Sequence, residues 1–132
     1  MFGSEIEAKL SLEEVNVDEY DAIVFVGGSG TPIVRASERA VEIAREAFEK
    51  GKVLGAICWA PTILAKAGVL EGKRATVWLG NDPEYGMTTA QVLEKYGATY
   101  TGEDVTADGN IVTANGPHAA RAFGKKIVEL VS

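Results

Sequence analysis

Hydrophobic positions along this chain switch between two spacings. From Glu5 to Leu12, "EIEAKLSL" alternates: Ile6, Ala8, Leu10 and Leu12 share one face and Glu5, Glu7, Lys9 and Ser11 the other. That period predicts a half-exposed strand at or near a sheet edge. "AIVFV" (Ala22 to Val26) is apolar throughout and runs into "GGSG", as expected of a strand covered on both faces and ending in a loop. In "ASERAVEIAREAFEKGK", Ala40, Val41, Ala44, Ala47 and Phe48 recur every three or four positions with Glu and Arg between them. This predicts an amphipathic helix stopped by Gly51. The pattern then repeats, with a second buried strand from Val53 to Ile57, a short helix from Ala60 to Ala67 closed by Gly68, and a third strand in "RATVW", Arg74 to Trp78. "NDPEYGMTTAQVLEKYG" predicts a helix capped by Asp82, with Pro83 at its first position and Gly97 at its end. Asp108-Gly109 is a two-residue hairpin signal, and "HAARAFGKKIVELV" closes the chain as a helix with Phe123, Ile127, Leu130 and Val131 on one side.

Strands and helices taking turns at these lengths predict an α/β sandwich with a mostly parallel sheet and right-handed crossovers. The 132 residues, 46% hydrophobic and 24% charged, are enough for one domain with a real core, spanning residues 1–132. Thirteen basic residues against nineteen acidic ones leave a net charge of −6, which would repel a phosphate backbone, so no nucleic-acid partner is expected. The first ten residues, "MFGSEIEAKL", hold no basic stretch followed by an apolar one, and no run of about 18 apolar residues occurs. The expectation is a cytoplasmic protein without a membrane span. One cysteine makes no internal disulfide, and one cysteine with one histidine does not complete a zinc site, so no metal or other cofactor is expected.

In parallel sheets ligands gather beyond the carboxyl ends of the strands, which directs attention to the loops after "AIVFV" and "VLGAI". The first loop, Gly27-Gly28-Ser29-Gly30, lacks the Gly-Lys-Ser/Thr and the third spaced glycine of nucleotide-binding fingerprints. The second holds Cys58 in "GAICWAPTILAKAG". A nucleophile elbow needs a strand, a sharp turn and a helix, with small residues two before and two after the nucleophile; Ala56 and Ala60 fit. Such a turn holds its central residue in a sparsely populated conformation and places the thiol at a helix start, where a thiolate is favoured. Pro61 fits the first turn of that helix. On spacing alone two readings stand side by side: Cys58 as a nucleophile, or as a small buried hydrophobe.

Three stretches, "DEYDAIVFVGGSG", "ASERAVEIAREAFEKGKVLGAICWAPTILAKAGVLEGKRAT" and "VTADGNIVTANGPHAARAFGKKIVEL", resemble the ThiJ/PfpI superfamily in order and spacing. That superfamily includes the PfpI intracellular peptidases and the parkinsonism-associated deglycase. The resemblance implies a flavodoxin-like three-layer sandwich with Cys58 as the elbow cysteine and an anion pocket built from the backbone N–H groups of Gly28 and Trp59. Two departures accompany it. The family's opening strand-helix-strand unit, with its cysteine-contacting glutamate, precedes the first residue here, so the domain reads as N-terminally truncated. Trp59 follows the cysteine where the peptidase branch has a histidine, and Trp78 takes the place of a histidine in the deglycase-like branch.

The resemblance also brings the "NGPHAA" loop toward the elbow, making His118 a candidate base or ion-pair partner; its other reading is a solvent-facing residue at a helix start. Glu5, Glu7, Glu13 and Glu14 are possible replacement carboxylates, though alternation reads them as a solvated face. A sheet without its opening unit has an uncovered edge, which predicts a homo-oligomer, at least a dimer. Three functions follow: a thiol protein responding to oxidants or reactive carbonyls through Cys58; a cysteine hydrolase or peptidase completed by His118 or by another subunit; and a scaffold or binding module in which Trp59 and Trp78 are contact residues or core.

Overall fold

The computed structural model describes residues 16–28 and 31–132. The predicted strand from Glu5 to Leu12 and the carboxylates Glu5, Glu7, Glu13 and Glu14 lie outside the described residues, as do Ser29 and Gly30. In chain order the elements are β1 (Ala22–Val26), α1 (Thr31–Arg35), α2 (Glu38–Glu49), β2 (Val53–Ile57), α3 (Pro61–Lys66), β3 (Arg74–Ala75), β4 (Asn81–Asp82), β5 (Met87–Thr88), α4 (Thr89–Lys95), β6 (Thr99–Tyr100), β7 (Val105–Asp108), β8 (Ile111–Ala114) and α5 (Ala120–Val131). Short 3-10 turns cover Val17–Glu19 and Pro117–Ala119.

The main sheet has the order β1-β2-β8-β7. The first three strands are parallel, with Ala22 opposite Val53 and Leu54 opposite Ile111. β7 joins antiparallel through the Asp108-Gly109 hairpin, where Gly109 takes φ 62° as the turn requires. β2 lies between two neighbours and is buried along its whole length. Its side chains alternate between layers. Leu54 and Ala56, with Ile23 and Phe25 of β1, pack in the cluster that holds α2 and α3, whereas Val53 and Ile57, with Val24, pack against Phe123 and Ile127 of α5. Helices on both faces make the three-layer α/β sandwich that the alternation predicts. A Cβ on Gly55 would lie 2.7 Å from Ile127 Cδ1 and 3.0 Å from Phe123 Cζ, so the glycine lets α5 settle on the middle of the sheet.

Several local expectations change. Of the strand predicted over Arg74 to Trp78, only Arg74–Ala75 pairs, with β6 and outside the main sheet. The Thr76 N–H goes to a side chain, Thr113 Oγ1, and the Trp78 N–H to the carbonyl of Cys58, so no ladder continues. Asp82 is not a helix cap. It sits in a small antiparallel hairpin of β4 and β5, and α4 begins instead after Thr88, whose side chain accepts from the Gln91 N–H while Gln91 accepts from the Thr88 N–H. That reciprocal pair is a capping box, and "TTAQ" spells it out. α1 lies ahead of the predicted helix, with Ser37 capping α2 just behind it. Phe48, placed on the apolar stripe of α2, is 43% exposed.

Candidate active site

Cys58 follows the last residue of β2 and has φ 67°, the one positive φ outside glycine among the described residues. For an L-residue that conformation costs roughly 1–2 kcal/mol. Flanking contacts hold it there. The Cys58 N–H donates to the Ala114 carbonyl at 3.0 Å, and the Cys58 carbonyl accepts from the Trp78 N–H at 2.8 Å. Ala56 and Ala60 are wholly buried on either side, as the elbow spacing requires. From below, Gly27 comes so close that a Cβ on it would lie 2.3 Å from the Ala60 nitrogen and 2.9 Å from that of Trp59.

The thiol is half-buried beside the cluster of Val24, Ile57, Ala119 and Phe123. Burial pushes it above the ordinary thiol value. This acts against the thiolate that a helix start would favour. α3 has only six residues and begins at Pro61, so its partial charge is small, and loss of water around the sulfur dominates.

The predicted partners of Cys58 occupy distinct places. The Trp59 N–H has no acceptor among the described residues. The Gly28 N–H donates to Thr31 Oγ1 at 3.0 Å and is engaged within its own loop. His118 is 61% exposed, with Nε2 3.3 Å from Asp104 Oδ1, and no hydrogen bond joins it to Cys58 among the described residues. Trp78 and Trp59 lie with ring centroids 5.5 Å apart and planes tilted by 43°. Trp78 is 41% exposed and Leu79 beside it 60%. Among the described residues no group of three His, Cys, Asp or Glu side chains is placed to hold a metal, and no helix is long and apolar enough to cross a membrane.

Behind the elbow lies a charge cluster that the sequence does not announce. Arg35 is fully buried and donates to both oxygens of the equally buried Asp82, Nη1 to Oδ2 at 2.6 Å and Nη2 to Oδ1 at 3.0 Å. It also donates through Nε to Glu84 Oε1 at 3.1 Å and through Nη1 to Thr62 Oγ1 at 2.9 Å. Its guanidinium carbon stands 4.6 Å over the ring of Tyr85, whose hydroxyl is 2.9 Å from that of Tyr96. Burial alone would raise the Asp82 carboxyl, but hydrogen bonds from Arg35 and Trp59, with the charge of Arg35, hold it below the usual carboxylate value. Trp59 enters this cluster directly, its Nε1–H donating to Asp82 Oδ2 at 3.0 Å. Nothing in the local pattern marks the pair, because Arg35 and Asp82 are 47 positions apart.

Comparison with known proteins bears on the family of the chain. An uncharacterised Methanocaldococcus jannaschii protein is 39% identical over 99% of this chain and 62% of its own length. The protein named deglycase PfpI from Pyrococcus furiosus is 37% identical over 98% of this chain and 73% of its own. Among solved structures, a ThiJ/PfpI domain protein from Brachyspira murdochii superposes with a TM-score of 0.81 at 29% identity, covering 93% of this chain and 66% of that one. Drosophila melanogaster DJ-1beta superposes with a TM-score of 0.75 at 32% identity, covering 92% and 61%. The chain therefore spans about two thirds of the length of the proteins it matches. The DJ-1/PfpI family model matches residues 1–130, and with this flavodoxin-like sandwich and its cysteine in a sharp turn after the central strand, the chain belongs to the DJ-1/PfpI family.

Proposed function

We propose that this protein acts on reactive carbonyl compounds through Cys58. The observation that carries the reading is the thiol's placement: a half-buried sulfur on a left-handed residue at the end of a buried strand, followed by a main-chain N–H, that of Trp59, with no acceptor among the described residues. Burial around the sulfur, which pushes the thiol pKa up, favours chemistry that does not start from a resting thiolate. Oxidant sensing calls for a resting thiolate, and peptide hydrolysis calls for a base to remove the proton and return it to the leaving amine. Addition to an aldehyde needs neither in net terms. The sulfur forms a bond to the carbonyl carbon, the carbon–oxygen π pair moves onto oxygen, and the thiol proton ends there, giving a hemithioacetal with no change in oxidation state. With methylglyoxal, transfer of hydrogen from that carbon to the neighbouring carbonyl carbon gives a lactoyl thioester, which water hydrolyses to lactate and the free thiol; one carbon is oxidised and its neighbour reduced, so no outside oxidant is needed. The developing oxyanion would be met by the Trp59 N–H. The name of the Pyrococcus furiosus relative supports the same class of target.

Two measurements test this. Purified protein should consume methylglyoxal, and Cys58→Ser should not; consumption that survives the substitution would remove Cys58 from the role. The rate of Cys58 alkylation by iodoacetamide should still be rising above pH 8.5, because burial delays ionisation beyond the ordinary thiol value of about 8.5. A plateau reached by pH 7 would restore oxidant sensing as the better reading. Casein should remain uncleaved, since His118 faces Asp104 at the surface.

A further inference from the structure

Hydrogen bonds hold Trp59 and the peptide before it, and two of them lead to the same buried group. The Cys58 carbonyl accepts from the Trp78 N–H at 2.8 Å. Because a trans peptide is planar, this orients the Trp59 N–H in the opposite direction. The Trp59 carbonyl accepts from the Thr62 hydroxyl at 2.9 Å, and that hydroxyl in turn accepts from Arg35 Nη1 at 2.9 Å. The Trp59 indole donates to Asp82 Oδ2, the oxygen that Arg35 Nη1 also contacts at 2.6 Å. Backbone and side chain of the residue after the cysteine are thus tied separately to one guanidinium.

The chemistry of the cluster fits a clamp better than a simple neutral pair. An indole has one donor and no acceptor, and a half-buried one is satisfied by water at no cost to the fold. Here it is directed instead at a carboxylate already bonded to arginine. The arginine fork is planar and bidentate, so it fixes the plane of the Asp82 carboxylate as well as its charge. Glu84, 46% exposed, adds a second negative charge on the open side and keeps Arg35 compensated while Asp82 serves Trp59.

We propose that Arg35 and Asp82 are positioning residues of the site, clamping Trp59 through its indole and, by way of Thr62, through its carbonyl, so that the Trp59 N–H stays aimed beside the sulfur. This rests on the reading of Cys58 as the reacting group. The pair touches neither sulfur nor substrate; it acts through Trp59.

The test is a double-mutant cycle on methylglyoxal consumption, with Cys58 alkylation by iodoacetamide at a single pH measured in parallel. Asp82→Asn keeps an oxygen for the indole but loses the charge that engages both arms of Arg35, and Trp59→Phe removes the indole donor while keeping a ring. Each should lower kcat about tenfold, with KM moving less than twofold, because the donor acts on developing charge and not on ground-state binding. The double variant should be no slower than the slower single variant. Multiplied effects, about 100-fold together, or a change confined to KM, would overturn the clamp. Thr62→Val, which removes the hydroxyl linking Arg35 to the Trp59 carbonyl and leaves the tie from the indole to Asp82, carries the same test should Asp82→Asn fail to fold: a fall in kcat supports the clamp and an unchanged kcat overturns it. A wild-type protein that consumes no methylglyoxal would refute the carbonyl reading alone. The clamp is then judged on alkylation, where non-additive changes in rate support it and unchanged rates overturn it.

Discussion

Replacing Arg35 with methionine is expected to lower the free energy of unfolding by about 3–5 kcal/mol, which would be among the largest effects of any single substitution in this chain. The reason is what stays behind. Asp82 has no exposed side-chain surface, and it keeps its charge there because Arg35 grips both of its oxygens. Without the guanidinium the carboxylate must either remain buried and charged or take up a proton. The Trp59 indole and the N–H groups of Glu84 and Tyr85 all bond to the ionised form. The double variant Arg35→Met with Asp82→Asn should recover part of the loss, because the amide oxygen still accepts from these donors and no buried charge is left. Urea unfolding of the three proteins decides the matter; a single variant within about 1 kcal/mol of wild type would show that the pair is not a buried ion pair in solution.

The same carboxylate sets an acid limb. Its folded pKa is lowered, so as pH falls the unfolded chain takes up the proton first, at about 3.9, and the folded protein only below that. Protons bound by the unfolded state exceed those bound by the native state in this window, which makes stability rise with pH through it and fall as pH drops. The contribution of Asp82 is fully present above about pH 4 and is lost as pH passes down through the folded value. Asp82→Asn should flatten this part of the stability profile.

The second large effect is expected at Gly27, and its neighbour supplies the control. An alanine Cβ at Gly27 would lie 2.3 Å from the Ala60 nitrogen, 2.8 Å from Thr31 Oγ1 and 2.9 Å from the Trp59 nitrogen. Two of these three atoms are backbone of the elbow itself, which no change of rotamer relieves. Gly27 does not have a positive φ, so the conflict is one of space alone. Gly27→Ala should cost about 1–3 kcal/mol or more, and by pushing the elbow off its geometry it should change the rate of Cys58 alkylation about tenfold. Gly28→Ala places its Cβ where nothing among the described residues lies within 4 Å, again without a positive φ, and it keeps the N–H that Thr31 accepts. It should lie within about 0.5 kcal/mol of wild type. Thermal unfolding and alkylation of both variants make the comparison, and equal behaviour would place the loop farther from the elbow than the structure does.

Both predictions concern residues that stand on opposite sides of a divide in what the chain makes legible. Gly27 belongs to a motif visible on the page of the sequence, a glycine pair after an apolar strand, and only its close approach to the elbow required coordinates. Cys58 was legible in the same way. Small residues two places before and after it, a strand ahead and a proline behind are all local, and a turn so constrained has one outcome, the positive φ that the structure has. The short segments were less legible because local patterns competed. Asp82-Pro83 is a sound helix start, yet Thr88 and Gln91 make a better one, and burial beside Arg35 gives Asp82 a stronger partner than a helix end offers. Arg74 to Trp78 has the composition of a strand, but its N–H groups are taken by Thr113 and Cys58.

By itself, then, the sequence determined the alternation of strands and helices, the two-sided burial of β1 and β2, the hairpin at Asp108-Gly109 and the elbow at Cys58, because each depends on residues within a few positions of one another. Only the tertiary structure decided the burial of that cysteine and the company it keeps. The water removed from around its sulfur, the engagement of Gly28 with Thr31, the pairing of His118 with Asp104 and the tie from Trp59 through Asp82 to Arg35 all depend on which distant segments the fold brings together. Electrostatic and desolvation energies follow distance in space, and the spacing of residues along a chain does not encode it.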